Sequence, residues 1–370
     1  MAFKKTMNNI LKYKTHLGSI AELGWQENKT TDYIAKHLKA TPLKRGFGKG
    51  DTGLLYKIGH GSNCILLRAD IDALKTANGI KHTCGHSTHM ASLMGVVKDT
   101  LQLEKELSKQ NKSIYFLFQP AEETFPSGGE AFVNECPGIL KEIKSAYAIH
   151  VRPHMKLGVI GLQPGPLWAQ GDYMEIEVQG KMVHIKNNLD SIDAIYASSL
   201  IVEGIKKIQK IYKSIRIGIG MISGGRQTNT VADYVILKGD IRLPNTHIRM
   251  IIKEKIKKLI KLTEQKTKAT ITLHYFYGTP PVINNPHTTN QIVRYLQTRS
   301  DLSFKLQTSG LFSYGCEDFA YISEKVPSTI ALIGTGGTYD LHEENCIISD
   351  QGTINAYLYF KTIVDWFMQS

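Results

Sequence analysis

The eight residues His82-Thr83-Cys84-Gly85-His86-Ser87-Thr88-His89 contain three histidines and a cysteine. Imidazole and thiolate are the ligands that zinc and its borderline neighbours favour, so this density points to metal binding. Any one of these histidines alone would read as a surface or capping residue. Cys84-Gly85-His86 sets two ligand types side by side on a loop, with a glycine between them that lets the backbone turn. A complete site needs carboxylates or further histidines from elsewhere in the chain. Gln119-Pro120-Ala121-Glu122-Glu123 places a carboxylate pair at the end of the apolar run 113–119 (SIYFLFQ). Charges at the end of a buried strand are costly unless they are used. These two read either as the favoured acids of a helix N-terminus or, beside the histidine cluster, as one metal ligand and one general base. His150 closes the run 145–151 (SAYAIHV), and His342 follows the buried run 328–334 (STIALIG) and a glycine loop at 334–337.

These residues need elements to position them. The pattern at 63–69 (NCILLRA) is a strand and that at 90–101 (MASLMGVVKDTL) a helix, so the cluster lies at a strand-to-helix crossing. Open α/β sheets bind ligands at such crossings, beyond the carboxyl ends of strands. Two helical patterns, around 10–20 and 31–38, precede the sheet; 46–50 reads as a turn-rich loop and 53–59 as a short strand. From Asp172 the texture changes. Alternating strands at 172–179, 215–223, 233–243 and 269–276 are interleaved with helices at 191–212 and 247–265. That order, β-α-β-β-α-β, is the split-βαβ unit of a compact domain. The sheet pattern resumes afterwards with a helix at 290–298, the strand 328–334 and a final helix at 353–368, so this second domain is an insertion. The expected division is 1–170 with 279–370 against 171–278.

With 370 residues, 42% hydrophobic and 21% charged, the chain reads as a soluble globular protein of two domains. No apolar run approaches the roughly 20 residues of a membrane helix, and the N-terminal stretch lacks a signal-peptide core; a cytoplasmic location is expected. Five widely spaced cysteines without a CxxC pair suggest free thiols rather than a disulfide framework. The net charge of +12 invites a nucleic-acid partner, but only nine of the 45 basic residues are arginine. Lysines such as Lys253, Lys257 and Lys261 fall on helical faces that read as solvated. Neither nucleic acid nor membrane is therefore expected as a partner.

Six ordered motifs carry a resemblance: 68–74 (RADIDAL), 82–86 (HTCGH), 118–123 (FQPAEE), 150–153 (HVRP), 315–319 (GCEDF) and Leu341-His342. Together they resemble the dinuclear-metal amidohydrolases and peptidases that include aminoacylase, carboxypeptidase-G-type enzymes, hippurate hydrolase, auxin-conjugate hydrolases and N-acetyldiaminopimelate deacetylase. The CGH version is similar to the N-acyl-amino-acid amidohydrolase branch, and the match runs from about residue 15 to the C-terminus. The resemblance implies a zinc-peptidase-like α/β catalytic domain with a mixed sheet, interrupted by a smaller ferredoxin-like domain often used for dimerisation, so a homodimer or higher homo-oligomer is expected. It implies Cys84, His86, Glu123, His150 and His342 as metal ligands, Glu122 as general base and Asp72 as support behind the ligands. It also implies that His184 reaches an active site, often a partner's, and that Asn229 and Arg242 touch the substrate carboxylate or the oxyanion. Read without the resemblance, these last three are a turn asparagine and two surface strand residues.

The implied chemistry is coherent. Two divalent ions, zinc or manganese, would acidify a water and polarise the scissile carbonyl. Glu122 would move the proton to the leaving amine, His184 would donate to the oxyanion, and Arg242 would hold a carboxylate. The expected activity is amide hydrolysis of N-acyl amino acids, N-acetyl foremost. A dipeptidase or aminopeptidase on the same scaffold, or a non-catalytic metal-binding relative, are the alternatives. The chain departs from the family pattern in four places. Ser87 stands where aspartate is usual, and the segment 72–82 is short. Ile185-Lys186-Asn187-Asn188 replaces small residues and proline, and Cys346 stands where an aromatic is usual. These changes suggest an altered substrate choice or a decayed site.

Overall fold

Continuous apolar runs such as 113–119 and 328–334 bury both faces of a strand, which calls for a sheet covered on each side. A computed structural model describes residues 2–370, with side chains from Lys4 onward, and it contains such a sheet. Its eight strands run in the spatial order Lys44–Phe47, Thr52–Ile58, Lys112–Gln119, Asn63–Asp70, Ile143–Arg152, Ser328–Gly334, Val159–Gly161, Lys305–Gln307. The four central strands, Lys112–Gln119 to Ser328–Gly334, are mutually parallel. Antiparallel pairings flank them on either side. The sheet is mixed, as expected.

The chain divides into two compact units, Met1–Gly165 with Ile283–Leu311 and Asp318–Ser370, and Pro166–Val282 with Phe312–Glu317. In the first, the helix His86–Leu101 is buried over most of its length. It lies against the helix Ala2–Ser19, where Lys98 Nζ donates to the Tyr13 hydroxyl at 2.6 Å. It also lies against the helix Asp350–Gln369, where Ser92 Oγ donates to Thr353 O at 3.1 Å. Chain order reverses direction about the strand Asn63–Asp70: the next central strand, Lys112–Gln119, lies on one side and Ile143–Arg152 on the other. That is the switch point where a crevice opens beyond the carboxyl ends of parallel strands.

The second unit has the strand order Arg216–Gly224, Tyr234–Leu243, Gln170–Gln179, Thr270–Tyr277, every neighbour antiparallel. With helices Ala194–Ile211 and Thr246–Thr267 it completes the βαββαβ unit. Ile176, Val178, Ile201, Ile205, Leu237 and Ile256 form its core. One local expectation needs correction. The loop at 46–50 is half strand: Lys44–Phe47 pairs with Thr52–Ile58, and only Gly48–Gly50 forms a 3-10 turn. The short segment 72–82 folds into a hairpin of Leu74–Thr76 with Gly79–Lys81.

Among the described residues no helix is long and apolar enough to cross a membrane.

Candidate metal centre

Each of the four central parallel strands ends on, or leads directly into, residues of one cluster. Asp70 ends its strand, Pro120–Glu123 follow Gln119, His150 sits near the end of Ile143–Arg152, and His342 lies on the loop after Gly334. Cys84 is held on the turn before the helix His86–Leu101. Gly85 makes that turn at φ +86°, and a β-carbon there would come within 2.2 Å of Val151 Cγ2, so both the backbone angle and the space demand glycine.

Cys84 is 5% exposed and sits between two histidines. Its Sγ is 3.5 Å from His150 Nε2 and 3.2 Å from His342 Nε2. It belongs to two sets whose ligand atoms all lie within 4.8 Å of one another: Cys84, His86 and His150, and Cys84, Glu123 and His342. His86 also forms such a set with Glu122 and Glu123. The backs of the rings are already committed. His86 Nδ1 lies 2.9 Å from Asp72 O and 3.2 Å from Asp72 Oδ1. His150 Nδ1 donates to Val151 O at 2.8 Å. Fixing Nδ1 in this way turns Nε2 toward the cluster, as metal-binding histidines require. His342, half-exposed, takes the left-handed conformation (φ +70°), and its amide donates to Thr83 O at 3.1 Å, tying its loop to the cysteine turn.

The electrostatics call for a cation. Burial, with Glu123 and Glu122 nearby, pushes the Cys84 thiol well above its usual range. Burial alone would hold His86 neutral, but Asp70, Asp72 and Glu123 outweigh it and raise the ring to about 10. Burial pushes His150 down to about 3. His86 Nε2 is buried and has no hydrogen-bond partner, and Glu123 Oε1 makes no hydrogen bond of good geometry although His342 Nε2 is 3.2 Å away. A thiol crowded by carboxylates with an orphaned imidazole nitrogen beside them is a poor arrangement for protons and a good one for divalent metal. The residues present therefore fit a metal pair, with Cys84, His86 and Glu123 each shared between two or more of these sets.

Sequence reasoning left four neighbours, Arg68, Asp70, His89 and Asp318, without roles. Asp70, His86 and His89 also satisfy the distance test for a metal set, but His89 has no nitrogen to offer. Its Nδ1 faces Asp70 Oδ1 at 2.6 Å and its Nε2 accepts the Val151 amide at 3.0 Å. Burial lowers its pKa, consistent with a neutral ring protonated on Nδ1. Arg68, wholly buried, donates to Asp70 Oδ2 at 2.8 Å, Gln119 Oε1 at 2.9 Å and Asp318 Oδ1 at 2.6 Å. Asp318 also accepts the Gly129 amide at 2.7 Å. The aspartates of the RADIDAL and GCEDF motifs were the available signal, but nothing in one dimension joins residue 68 to residue 318. The Asp72 carboxylate lies against both neighbours: Oδ1 is 3.2 Å from His86 Nδ1 and Oδ2 accepts the Glu123 amide at 2.9 Å.

His82 is not in any ligand set among the described residues. Burial and His86 push its ring down to about 3.

His184, Asn229 and Arg242 lie in the second unit and are described there. His184 and Asn229 are on adjoining loops: the Ile185 amide donates to Asn229 O at 2.9 Å, and both side chains are exposed. His184 Nδ1 accepts the Lys186 amide at 3.3 Å, which leaves Nε2 outward. Arg242 is doubly bonded to Asp240, Nε to Oδ1 at 2.7 Å and Nη2 to Oδ2 at 3.0 Å, and Nη1 contacts Cys316 Sγ. All five cysteines are free.

A mixed sheet with a small inserted antiparallel domain, and thiol, imidazole and carboxylate groups able to hold metal gathered at its switch point, fit a metal-dependent hydrolase of the amidohydrolase and peptidase class. The chain belongs to Peptidase family M20/M25/M40, whose sequence profile matches residues 66–364. It is 31% identical over 372 residues to the N-acetyl-L-cysteine deacetylase of Bacillus subtilis (strain 168), covering 94% of this chain and 85% of that protein. It is 25% identical over 382 residues to the N-acetyldiaminopimelate deacetylase of Geobacillus thermodenitrificans (strain NG80-2), covering 98% of each. Among solved structures it is similar to the Bacillus subtilis YXEP protein, a dinuclear metal binding peptidase from the M20 family. The TM-score is 0.85 at 25% identity, with 99% of each chain covered.

Proposed function

We propose that this protein removes the acyl group, acetyl foremost, from N-acyl amino acids. The observation that carries the reading is the pair of ligand sets sharing Cys84, with Glu122 beside them and uninvolved in the set that holds His342. Relatives that deacetylate N-acetylcysteine and N-acetyldiaminopimelate support the choice of substrate. Cys84, His86, Glu123, His150 and His342 would hold the two ions, zinc or manganese. The bound ions supply Lewis acidity toward water and the scissile carbonyl. Glu122 takes the proton released at the attacking water and returns it to the leaving nitrogen. Asp72 keeps His86 and Glu123 in register. In the inserted domain, expected over 171–278, His184 would donate to the oxyanion, and Arg242 with Asn229 would hold the substrate carboxylate. Dimerisation through the same domain is supported by its edge strand Arg216–Gly224, which leaves Met221 64% and Ile222 61% exposed.

The test is bound metal per chain together with amino-acid release from a panel of N-acetyl and N-benzoyl amino acids and free-amine dipeptides, before and after chelation and on adding back zinc or manganese. Chelator-sensitive release from the N-acyl compounds, abolished in Glu122→Gln with metal retained, is expected. Hydrolysis that survives Glu122→Gln would remove the base assignment. Turnover of dipeptides alone would replace the deacylase reading with the peptidase one.

A further inference from the structure

The loop that carries Glu122 and Glu123 has an unfavourable backbone. Ala121 sits at φ +54°, a left-handed conformation that a non-glycine residue keeps only when its surroundings enforce it. The enforcing group comes from far up the chain. Glu27, 0% exposed, points into the interior from the residue preceding the helix Asn28–Leu38 and makes no cap there. Its Oε1 accepts the Ala121 amide at 2.7 Å, and its Oε2 accepts the Thr52 hydroxyl at 2.7 Å. The Ala121 carbonyl is taken by the Gly128 amide at 3.0 Å, so both backbone groups of the strained residue are held.

The same segment grips the loop twice more. Trp25 Nε1 donates to Pro126 O at 3.0 Å. Gly24 lies so close that a β-carbon would come 2.6 Å from Thr124 Cγ2, 3.2 Å from Ala121 Cα and 3.3 Å from Asp72 Oδ2. Burial pushes the Glu27 carboxyl up to about 7. A group so costly to bury is retained where its hydrogen bonds are needed.

We infer that Glu27 is a positioning residue for the reaction: its carboxyl fixes Ala121 in the left-handed conformation that aims Glu122 and Glu123 at their separate tasks. The inference rests on the assignment of those two glutamates given above. Two carboxylates adjacent in sequence naturally diverge, and the turn at Ala121 decides which way each faces. Glu27 governs that turn through Ala121, Asp72 governs the Glu123 amide, and neither duplicates the other.

The test compares full-length, metal-loaded parent, Glu27→Ala, Glu27→Gln and Thr52→Val. Glu27→Ala is expected to lower kcat by about 10- to 100-fold, the range seen when groups behind metal ligands are removed, with KM changed less than about threefold because substrate binding does not depend on the base. It is also expected to reduce retained metal and to raise deuterium uptake in residues 120–125. Glu27→Gln keeps an oxygen for the Ala121 amide and should restore slow exchange and most of kcat. Thr52→Val, which frees Glu27 Oε2 but leaves Oε1 bonded, should fall between, and it decides the matter if Glu27→Ala does not fold. Unchanged exchange at 120–125 in Glu27→Ala or, failing that variant, in Thr52→Val would overturn the inference. So would a glutamine variant as damaged as the alanine one. If the parent hydrolyses nothing in the panel, the functional reading fails, and metal retention with deuterium uptake still decides the role of Glu27.

Discussion

Replacing Arg68 with methionine tests the buried network beneath the metal centre. The guanidinium is 0% exposed and bonds Asp70 and Asp318, themselves 0% and 2% exposed. Removing one partner of a buried ion pair costs about 3–5 kcal/mol, because it leaves a charge without compensation. Two carboxylates are orphaned here, but their costs do not simply add. Asp318, which burial raises to about 6 even with Arg68 beside it, would take up a proton near neutral pH once the guanidinium is gone. Asp70, held low against burial by His86, His89 and Arg68, keeps two of those three partners. The expected loss is therefore about 3–5 kcal/mol in all, a fall in Tm of roughly 6–20 °C for a domain of about 150–250 residues.

The pH dependence has a definite sign. In the parent, the depressed Asp70 pKa contributes stability that is present above the unfolded value of 3.8 and lost as pH falls. In Arg68→Met the Asp318 pKa, already above its unfolded value, rises further, so that carboxyl's contribution is present at low pH and is lost over a wider range as pH rises. The gap between the two proteins should widen from pH 5 to pH 8. Thermal unfolding of chelated parent and variant at three pH values measures it. A Tm difference of less than about 3 °C, or a gap that does not change with pH, would refute the reasoning.

Cys84→Ser should lower metal content at both sets that include Cys84, since a serine hydroxyl is not ionised under conditions where a metal-bound thiol is; retention of two ions per chain by elemental analysis would remove Cys84 as a ligand of either. His342→Ala should cost one ion and leave Cys84, His86 and His150 to hold the other, so a chain that loses both points to a single cooperative site. Glu27→Gln should stabilise the chelated protein at high pH. The carboxyl's pKa rises from 4.5 to about 7 on folding, so the parent alone loses stability as pH climbs through that window. The difference reaches about 3 kcal/mol by pH 8 and vanishes below pH 4.5; equal unfolding midpoints at pH 8 would show that Glu27 ionises without penalty.

The candidate ligands Glu123, His150 and His342 were legible because each follows or closes a strand whose apolar run is itself legible, and Cys84 and His86 because they crowd one short turn; chemistry-bearing residues after such runs converge when the strands are parallel neighbours. The βαββαβ insertion was legible from its alternation and helical spacing. The supporting residues were not. Arg68 and Asp318 are 250 positions apart and meet only because the central sheet brings them together. His89 belongs to the same eight-residue cluster as Cys84 and His86, and only its hydrogen bonds to Asp70 and Val151 distinguish a support from a ligand. Glu27 reads in the sequence as an ordinary acid before a helix; its burial depends on Thr52 and Ala121 arriving from two other segments. The strand Lys44–Phe47 was obscured by the glycines around it, which suggest a loop until its partner Thr52–Ile58 is in place.

The spread of the ligands along the chain bears on how the centre is made in the cell. His150 and His342 are 192 residues apart. At a synthesis rate of about 5–20 residues per second, roughly 10–40 s separate their appearance. During that interval Cys84, His86 and His150 exist, while His342 and the strand Ser328–Gly334 that flanks His150 do not. On the ligand assignment proposed above, the two ions would have different histories: the set Cys84, His86 and His150 would be exposed to whichever ion the cell supplies during translation, and the set that needs His342 would be completed only near release. Pulse supply of one metal during expression and of another after purification should leave the two distributed unequally between the sites, and random distribution would show that the ions enter together.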